Sequence, residues 1–550
     1  MLNKLSEKRK AILYTCLWAV VIFFFSLYTD LADDEAYYWV YAKNLDWGYF
    51  DHPPMIALMI KVGTFFFNNE MSIRFCTVIA SALTLYLLFA ITEFKKVNQL
   101  FLLFITVPAF HALSFISAPD VPMLFFGVLY LYCFKKYLEN DSIKNVLLLS
   151  LVIALLMYSK YHGVLLVIFS LIPNYKLLTR KSFYVVFVLS LIFFAPHIWW
   201  QAQNGFPSVY FHLFDRVNTA YQPRYTGDYL LGQLAFAGPV LFFLMIILMR
   251  KVKGEWIKTL KWTALGFYFF FLVMSFRSFV EANWVAMGYV GALLVVHTAL
   301  DHLNKLLKIS ITVVVLILIG LRIYIALPGD KKQFLVTEQF GRNKEYYKKY
   351  NELAGERAVV FVNTYQKASK YSFYFNQPSF TLNSYWYRRN QYDRWLIQQE
   401  LQGKKVLVVG AFSFSNSKSI RHYNDDLFYA YDDHLKTQGY ITLKSDVNKF
   451  EVKKGDTISG ELSIENPAIK TVHYDTTKLQ VLAFLKMLGG DHEYVISAAE
   501  INEQQLISEE KIKFKIPINC EKGEYKLVFG FASKYATMLW NSSVCKVEIK

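Results

Sequence analysis

Charged side chains are scarce in this 550-residue sequence. Asp, Glu, Lys and Arg make up 19% of it, against about a quarter in soluble domains. This deficit, with 55% hydrophobic residues, excludes an ordinary water-soluble chain. The formal net charge of +16 alone would favour nucleic acid as a partner. In so apolar a chain, however, Lys and Arg typically mark cytoplasmic loops. The composition therefore indicates a membrane protein without a nucleic-acid partner.

Other familiar signals are also missing. The basic residues 4–10 precede an apolar run over 11–27, but no small-residue cleavage site follows, so we interpret the run as a retained first helix. Cysteines are few. Three of the five (Cys16, Cys76 and Cys133) fall in apolar segments as small core residues. Cys520 and Cys545 lie in strand-like sequence, where a disulfide is allowed if that end is extracytoplasmic.

Eleven long apolar runs predict membrane-spanning helices, since about 20 such residues cross a bilayer. They cover approximately residues 11–29, 74–92, 99–117, 121–137, 145–158, 161–178, 183–200, 229–249, 259–276, 283–300 and 309–327. Two further spans would be the upper limit. A cytoplasmic N-terminus places nineteen Lys and Arg in inner loops and about seven in outer ones, as the positive-inside rule requires. The sequence therefore predicts a multi-pass protein of the plasma (inner) membrane with its C-terminal region outside.

The composition changes after about residue 328, which predicts three domains. Residues 1–328 form the transmembrane domain. Strand-like runs at 358–362 and 405–410, with helix-like sequence between them, predict an α/β domain over 329–440. Short alternating strands with turn signals predict a β-sandwich over 441–550. Neither exterior region carries a phosphate loop, a metal-ligand spacing or a nucleophile elbow, so we predict a positioning or receptor-like role for them.

Ionisable residues gather on the predicted outer side of the membrane. They are Asp33, Asp34, Glu35, His52, Asp120, Lys160, His162, His212, Arg216 and Glu281. Exterior loops are generally polar, and this alone would explain any single residue of the group. Asp120 and Lys160, however, lie in short turns between apolar runs, where ionisable groups are costly and usually functional.

Several of these residues form an ordered set of motifs. Along the chain the set comprises Asp34-Glu35 after the first span, His52-Pro53-Pro54 with Arg74, Asp120 with Pro122, and the segment from Phe276 to Trp284, which ends Glu281-Ala-Asn283-Trp284. The stretch 196–216 is a further match. In this order they resemble the superfamily of protein O-mannosyltransferases and lipid A aminoarabinose transferases. These are GT-C membrane glycosyltransferases that use polyprenyl-phosphate sugars. The resemblance covers roughly the first 330 residues, and His52 stands where the family commonly has lysine.

The resemblance implies a catalytic role for the acids. Asp34 would be the general base for a hydroxyl acceptor, or would orient the acceptor, with Glu35 beside it. Asp120 would complete an acidic cluster, in which Asp34 and Asp120 could hold a divalent metal cation through oxygen ligands. The alternative for Asp34 and Glu35 is a helix N-terminus, where acids favour the dipole. We favour function, because Asp33 alone can serve as the cap.

A second set is predicted to bind substrate. It contains His52, Arg74, Lys160, His212, Arg216, Glu281 and Asn283. Guanidinium and ammonium groups pair with phosphate oxygens, although Arg74 can equally snorkel at a span end. A neutral imidazole at His52 donates one hydrogen bond only, so its phosphate role would depend on pH. His162 and His197 are interpreted as structural polar groups.

We therefore predict an integral-membrane glycosyltransferase that moves a sugar from a polyprenyl-phosphate donor to an extracytoplasmic acceptor. The acceptor can be a protein hydroxyl, lipid A or another glycan, and membrane lipids are the surroundings. Two alternatives stay open. A transporter or flippase of lipid-linked glycans would often show internal repeats, and we find none. A membrane anchor for the exterior β-domain would not need acids and bases in tight outer turns.

Overall fold

The protein forms two compact units, each with its own core. The computed structural model describes residues 5–215, 221–327, 340, 343–422, 425–466, 478–502, 505–506, 508 and 511–550. The first unit contains residues 1–208 and 221–342, and the second contains 209–220 and 343–550. The division into three domains stays a prediction, since the α/β region and the β-sandwich both lie within the second unit.

The first unit is a bundle of helices. Up to residue 327 the α-helices are α1 (Glu7–Leu27), α2 (Asp33–Lys43), α3 (Met55–Gly63), α4 (Glu70–Ile91), α5 (Val97–Phe104), α6 (Pro108–Ala112), α7 (Asp120–Glu139), α8 (Ile143–Ser159), α9 (Gly163–Leu171), α10 (Lys181–Gln203), α11 (Pro207–Tyr210), α12 (Pro223–Ala237), α13 (Pro239–Leu248), α14 (Glu255–Ser275), α15 (Ala286–Ala299) and α16 (Lys305–Ala326). Shorter 3-10 turns cover Ile172–Thr179 and Ala282–Val285. Asparagines begin two of the long helices, because the side chains of Asn69 and Asn304 accept from backbone N–H groups of α4 and α16.

Seven of the described helical segments are long and apolar enough to cross a membrane. The pair α12 and α13 would be an eighth span, bent by 98° between its halves. Gly238 makes that bend possible with φ +75°, and a Cβ there would meet the Thr106 carbonyl oxygen at 2.5 Å. The predicted helical membrane protein is therefore confirmed as a fold class, while the count of eleven spans is not confirmed.

The predicted span over 99–117 also differs from a continuous helix. The segment predicted over 99–117 is two short helices, α5 and α6, because Pro108 holds Val107 in extended backbone (φ −97°, ψ 104°). It nevertheless crosses the bundle. Arg74 at the start of α4 and Ser117 both contact Glu35, whereas α4 carries the chain about 26 Å away from Arg74 by its end. The broken segment therefore returns the chain by the same distance.

The second unit contains a mixed sheet and a β-sandwich. Its described helices are α17 (Lys344–Ala354), α18 (Tyr365–Phe375) and α19 (Ile397–Glu400), with shorter turns at Phe211–Asp215 and Gln391–Asp393. The mixed sheet has the order β2-β1-β3-β5-β4 and consists of β1 (Ala358–Val362), β2 (Ser379–Leu382), β3 (Val406–Gly410), β4 (Lys418–His422) and β5 (Asp425–Asp432). Strands β2, β1 and β3 are parallel to one another, and β5 is antiparallel to both of its neighbours, β3 and β4.

The sandwich packs two sheets over an apolar core. Its strands are β6 (Thr442–Ser445), β7 (Lys449–Val452), β8 (Thr457–Glu465), β9 (Leu479–Met487), β10 (Glu493–Ile501), β11 (Ile512–Pro517), β12 (Gly523–Phe531) and β13 (Cys545–Ile549). The large sheet has the order β10-β9-β12-β13-β7 and the small one β11-β8-β6. Period-2 alternation buries residues such as Leu527 and Val547 between the sheets. Cys520 and Cys545 are buried there as free thiols.

The orientation in the membrane stays a prediction, and reporter fusions test it. Because basic residues concentrate in alternate loops, we expect fusions after Lys96, Arg180 and Lys258 to report a cytoplasmic position, and a fusion after Lys370 to report the exterior. A cytoplasmic signal at Lys370 would contradict both the parity of the spans and an outward-facing site.

Candidate active site

The site is built around the first turn of α2. Asp33, Asp34 and Glu35 occupy this turn, where carboxylates favour the positive end of the helix dipole. The helix begins after Ala32, and the Glu35 carboxylate accepts from the Ala32 N–H at 2.7 Å. Glu35 therefore caps the helix by bonding back to its start. The sequence-based expectation that Asp33 is the cap is wrong in this respect.

Glu35 is fully buried and forms an ion pair with Arg74 of α4. Arg74 Nε donates to one carboxylate oxygen at 2.8 Å and Nη2 to the other at 2.5 Å. The backbone N–H of Ser117 adds a bond of 3.0 Å, so Glu35 accepts four hydrogen bonds with Ala32 included. A carboxylate has about four lone-pair positions, and the protein occupies all of them.

The hydrogen-bond donors of Arg74 are also fully occupied. Its Nη1 donates to the carbonyl oxygens of Ser26 and Thr29 at 3.1 and 2.6 Å, and its Nη2 also donates to the Asp30 carbonyl at 2.8 Å. With the two bonds to Glu35, all five guanidinium N–H groups have partners. These contacts favour a positioning role for both residues over the predicted phosphate contact of Arg74 and the predicted catalytic role of Glu35, which stay predictions. The two residues position α2 on α4.

Asp34 stands in contrast to its neighbour. Successive helix residues are rotated by about 100°, so the anchoring of Glu35 turns Asp34 to a different side, where it is exposed. An exposed carboxylate held by a rigid helix start can reach a substrate. The general-base assignment to Asp34 is compatible with this geometry and stays a prediction.

A second ion pair joins two of the predicted site residues. Lys160, in the turn between α8 and α9, donates from Nζ to Asp120 Oδ1 at 2.7 Å. The two side chains are only 8% and 7% exposed. The Lys160 ammonium also lies 5.7 Å from the centre of the Trp284 ring, and His162 packs on the same indole at 5.1 Å. Asp120, Lys160 and the Trp284 segment are therefore brought together, as their shared predicted side suggested.

The two ion pairs lie at the same end of the bundle. Ser117, which donates to Glu35, lies three residues before Asp120 at the start of α7. The Ser117 hydroxyl donates to the Ile73 carbonyl oxygen at 2.9 Å, next to Arg74. The first turn of α2 and the Lys160–Asp120 pair therefore flank one short segment of chain.

A metal centre on Asp34 and Asp120 does not fit these contacts. The Lys160 ammonium already supplies the positive charge next to Asp120. Within the described ranges, no three side chains among His, Cys, Asp and Glu come together as a set of metal ligands. No step below depends on a metal, and metal dependence stays untested.

The loop that carries His52 is fixed on α2 by tyrosines. Tyr41 donates to Asp51 Oδ1 at 2.6 Å, and Tyr49 stacks on Tyr41 with ring centres 3.9 Å apart. Burial, and then the Asp51 carboxylate, raise the pKa of Tyr41 well above its usual value, so the phenol stays a donor. His52 packs edge-on against Tyr38 at 5.7 Å. Sequence analysis assigned no role to Asp51, although a carboxylate directly before a His-Pro-Pro motif was a usable signal.

The remaining predicted residues have different surroundings. Glu281 is exposed and Asn283 is half-buried, and both residues lie just before Trp284 in the chain. His212 lies in the segment of the second unit that contains Phe211, whose ring it contacts at 5.0 Å. Arg216 lies outside the described residues.

His197 has the structural role predicted for it. Its Nδ1 lies 2.7 Å from the Trp47 carbonyl oxygen and its Nε2 lies 3.0 Å from the Tyr161 hydroxyl. Because a carbonyl oxygen can only accept, Nδ1 carries the proton, and Nε2 accepts from the phenol. Both imidazole nitrogens of His197 are thus hydrogen-bonded to groups inside the bundle.

Three comparisons found proteins that are similar to this chain. A model of the family described as dolichyl-phosphate-mannose-protein mannosyltransferase matches residues 51–200. The lipid A galacturonosyltransferase RgtD of Rhizobium johnstonii is 27% identical over 320 residues, which cover 54% of this chain and 66% of that protein. The fold resembles the crystal structure of ArnT from Cupriavidus metallidurans, in the apo state and bound to undecaprenyl phosphate. Each has a TM-score of 0.56 at 13% identity, covering 76% of this chain and 97% of ArnT.

These similarities confirm the resemblance found in the motifs. The matching family model and RgtD are both described as glycosyltransferases, the class that the motifs predict. The likeness to ArnT, at 13% identity, establishes the fold of the chain. The alignment with RgtD spans just under two thirds of that relative.

Proposed function

We propose that this chain is an integral-membrane glycosyltransferase that takes a sugar from a polyprenyl-phosphate carrier and transfers it to lipid A or a similar envelope glycolipid. The main support for the proposal is that an acidic and a basic side chain lie at the same end of the bundle. Asp34 offers an exposed carboxylate there, and Lys160 an enclosed ammonium. The similarity to RgtD, named as a lipid A galacturonosyltransferase, supports the acceptor class. The ArnT structure with undecaprenyl phosphate supports the donor class.

In the proposed reaction, an acceptor oxygen attacks the anomeric carbon of the sugar. The new C–O bond forms as the bond between this carbon and the phosphate oxygen breaks, and the carrier leaves as polyprenyl phosphate. Asp34 takes the proton of a hydroxyl acceptor. Lys160 stabilises the negative charge that gathers on the departing phosphate, with Asp120 holding the ammonium in place.

Purified protein in proteoliposomes tests the function. We expect transfer of radiolabelled sugar from undecaprenyl-phosphate donors to lipid A. A panel of hexose, hexuronic acid and aminopentose donors would identify the sugar. Mass spectrometry of envelope glycolipids from a deletion strain should show the loss of one sugar residue. Transfer of an intact lipid-linked glycan across the bilayer, without cleavage from its carrier, would instead establish a flippase.

Lys160→Met should raise the KM for the donor by about tenfold or more, because it removes a charge-assisted contact to phosphate. Steady-state kinetics with varied donor measures this change. Lys160→Arg should recover part of the affinity, and Lys61→Met on α3 serves as the control. An unchanged KM in Lys160→Met would show that the ammonium only neutralises Asp120.

A further inference from the structure

The second unit carries an unusual row of lysines on one face of the large sandwich sheet. Lys486 of β9 pairs directly with Lys526 of β12, which pairs with Lys546 of β13. Lys546 in turn pairs with Lys449 of β7. Directly opposed residues point to the same face of a sheet, so these four lysines, the lysine row, cross four adjacent strands on the side facing away from the sandwich core.

Such a row is costly for the fold. Like charges directly opposite each other destabilise neighbouring strands. Nearby carboxylates offset part of this cost, since Lys486 pairs with Glu493 at 2.6 Å and Lys449 with Glu451 at 2.6 Å. The exposed Lys546 makes no ion pair with the described residues. An anionic group placed over Lys526 and Lys546 would relieve the repulsion between them.

Aromatic rings flank the row on one side. Trp386 is 62% exposed and rests on Tyr385, whose ring centre is 4.9 Å away. Tyr385 in turn rests on Phe484 of β9 at 4.4 Å. The Lys486 ammonium lies 6.0 Å from the Trp386 ring, and Lys526 the same distance from Trp540. A flat, supported indole beside ammonium groups suits the apolar face of a sugar ring that carries an acidic substituent.

Acidic residues occupy the other side of the row. Glu524 of β12 pairs with Glu548 of β13, which pairs with Glu451 of β7. An extended anionic membrane surface would cover these carboxylates as well as the lysines and would be repelled by them. A single saccharide can place its acidic group on the lysines and its hydroxyls on the carboxylates, which accept hydrogen bonds. The apolar part of the face is also small, because Tyr385, Phe484 and Val528 are buried beneath Trp386 and its neighbours.

We propose that this face of the second unit binds an acidic saccharide, with a sugar ring stacked on Trp386 and a phosphate or carboxylate between Lys526 and Lys546. The argument depends on contacts within the second unit alone. It therefore does not require the proposed transfer reaction, and each can fail without the other.

The test is isothermal titration calorimetry on the full chain in zwitterionic nanodiscs. The probe is an N-acetylated, bis-phosphorylated glucosamine disaccharide, and N,N′-diacetylchitobiose (chitobiose below) is its uncharged counterpart. We expect the phosphorylated probe to bind and chitobiose to bind at least tenfold more weakly. Trp386→Ala and the double variant Lys526→Gln/Lys546→Gln should each weaken binding about tenfold or more. Trp386→Phe should recover part of the affinity.

Lys478→Gln is the matched control, because Lys478 is exposed and ion-paired with Glu500 outside the lysine row. Its affinity should stay within twofold of the parent. No variant should unfold below the parent thermal midpoint, and the double lysine variant should unfold at or above it, because it removes the repulsion between Lys526 and Lys546. Absence of binding, equal binding of chitobiose, or equal weakening by Lys478→Gln would overturn the proposal. Binding only to anionic phosphatidylglycerol vesicles would assign the face to the membrane instead.

Discussion

Asp34→Asn is expected to lower the rate of sugar transfer to a hydroxyl acceptor by about 10²–10⁴-fold, the usual contribution of a general base. The amide cannot take the proton that the acceptor must give up. Donor affinity should barely change, since the Lys160–Asp120 pair is intact. Single-turnover transfer and equilibrium binding of the undecaprenyl-phosphate donor measure the two quantities separately.

Asp33→Asn provides the matched control, because Asp33 is an acid in the same helix turn. Its rate should remain within a few fold of the parent. Near-normal turnover of Asp34→Asn with a hydroxyl acceptor would contradict the general-base role. A phosphate acceptor is already ionised and needs no base. If Asp34→Asn lowers the transfer rate less with a phosphate acceptor than with a hydroxyl acceptor, the role of Asp34 is to remove the hydroxyl proton.

Much of the fold could be predicted from hydrophobic runs and charge alone. The helical membrane region and the later β-rich region follow from the scarcity of charge before residue 328 and the alternating strands after 441. The break in the third predicted span was also encoded locally, because Pro108 restricts Val107 to extended backbone. A hydropathy profile averages over many residues, so it did not reveal the break in the helix at this position.

The roles of individual acids could not be predicted in the same way. Asp34 and Glu35 are adjacent and chemically alike, and only the rotation of α2 decides which of them is buried. That rotation is set by Arg74, 39 residues further along the chain. Sequence order cannot show that one guanidinium satisfies a carboxylate and three backbone carbonyls at once. The motif therefore predicted a group of residues that lie at one end of the bundle, but could not distinguish the buried pair Glu35–Arg74 from the exposed Asp34.

Arg74→Met is expected to destabilise the first unit by about 3–5 kcal/mol, because it leaves the buried Glu35 carboxylate without its counter-ion. It also leaves the carbonyl oxygens of Ser26, Thr29 and Asp30 without the donors that now satisfy them. The thermal unfolding midpoint of purified protein and the amount accumulated in the membrane should both fall. Arg277→Met, at an exposed arginine, should change neither.

The double variant Arg74→Met/Glu35→Leu separates a structural pair from a substrate contact. Replacing both members of a buried ion pair by apolar residues is often nearly neutral for stability, so the double variant should unfold at a higher temperature than Arg74→Met alone. Activity is expected to stay low in both variants, because the two residues that fix the rotation of α2, and with it the position of Asp34, are lost. If Arg74 instead held donor phosphate, Arg74→Met would keep the parent unfolding midpoint, and no change at Glu35 would restore donor affinity.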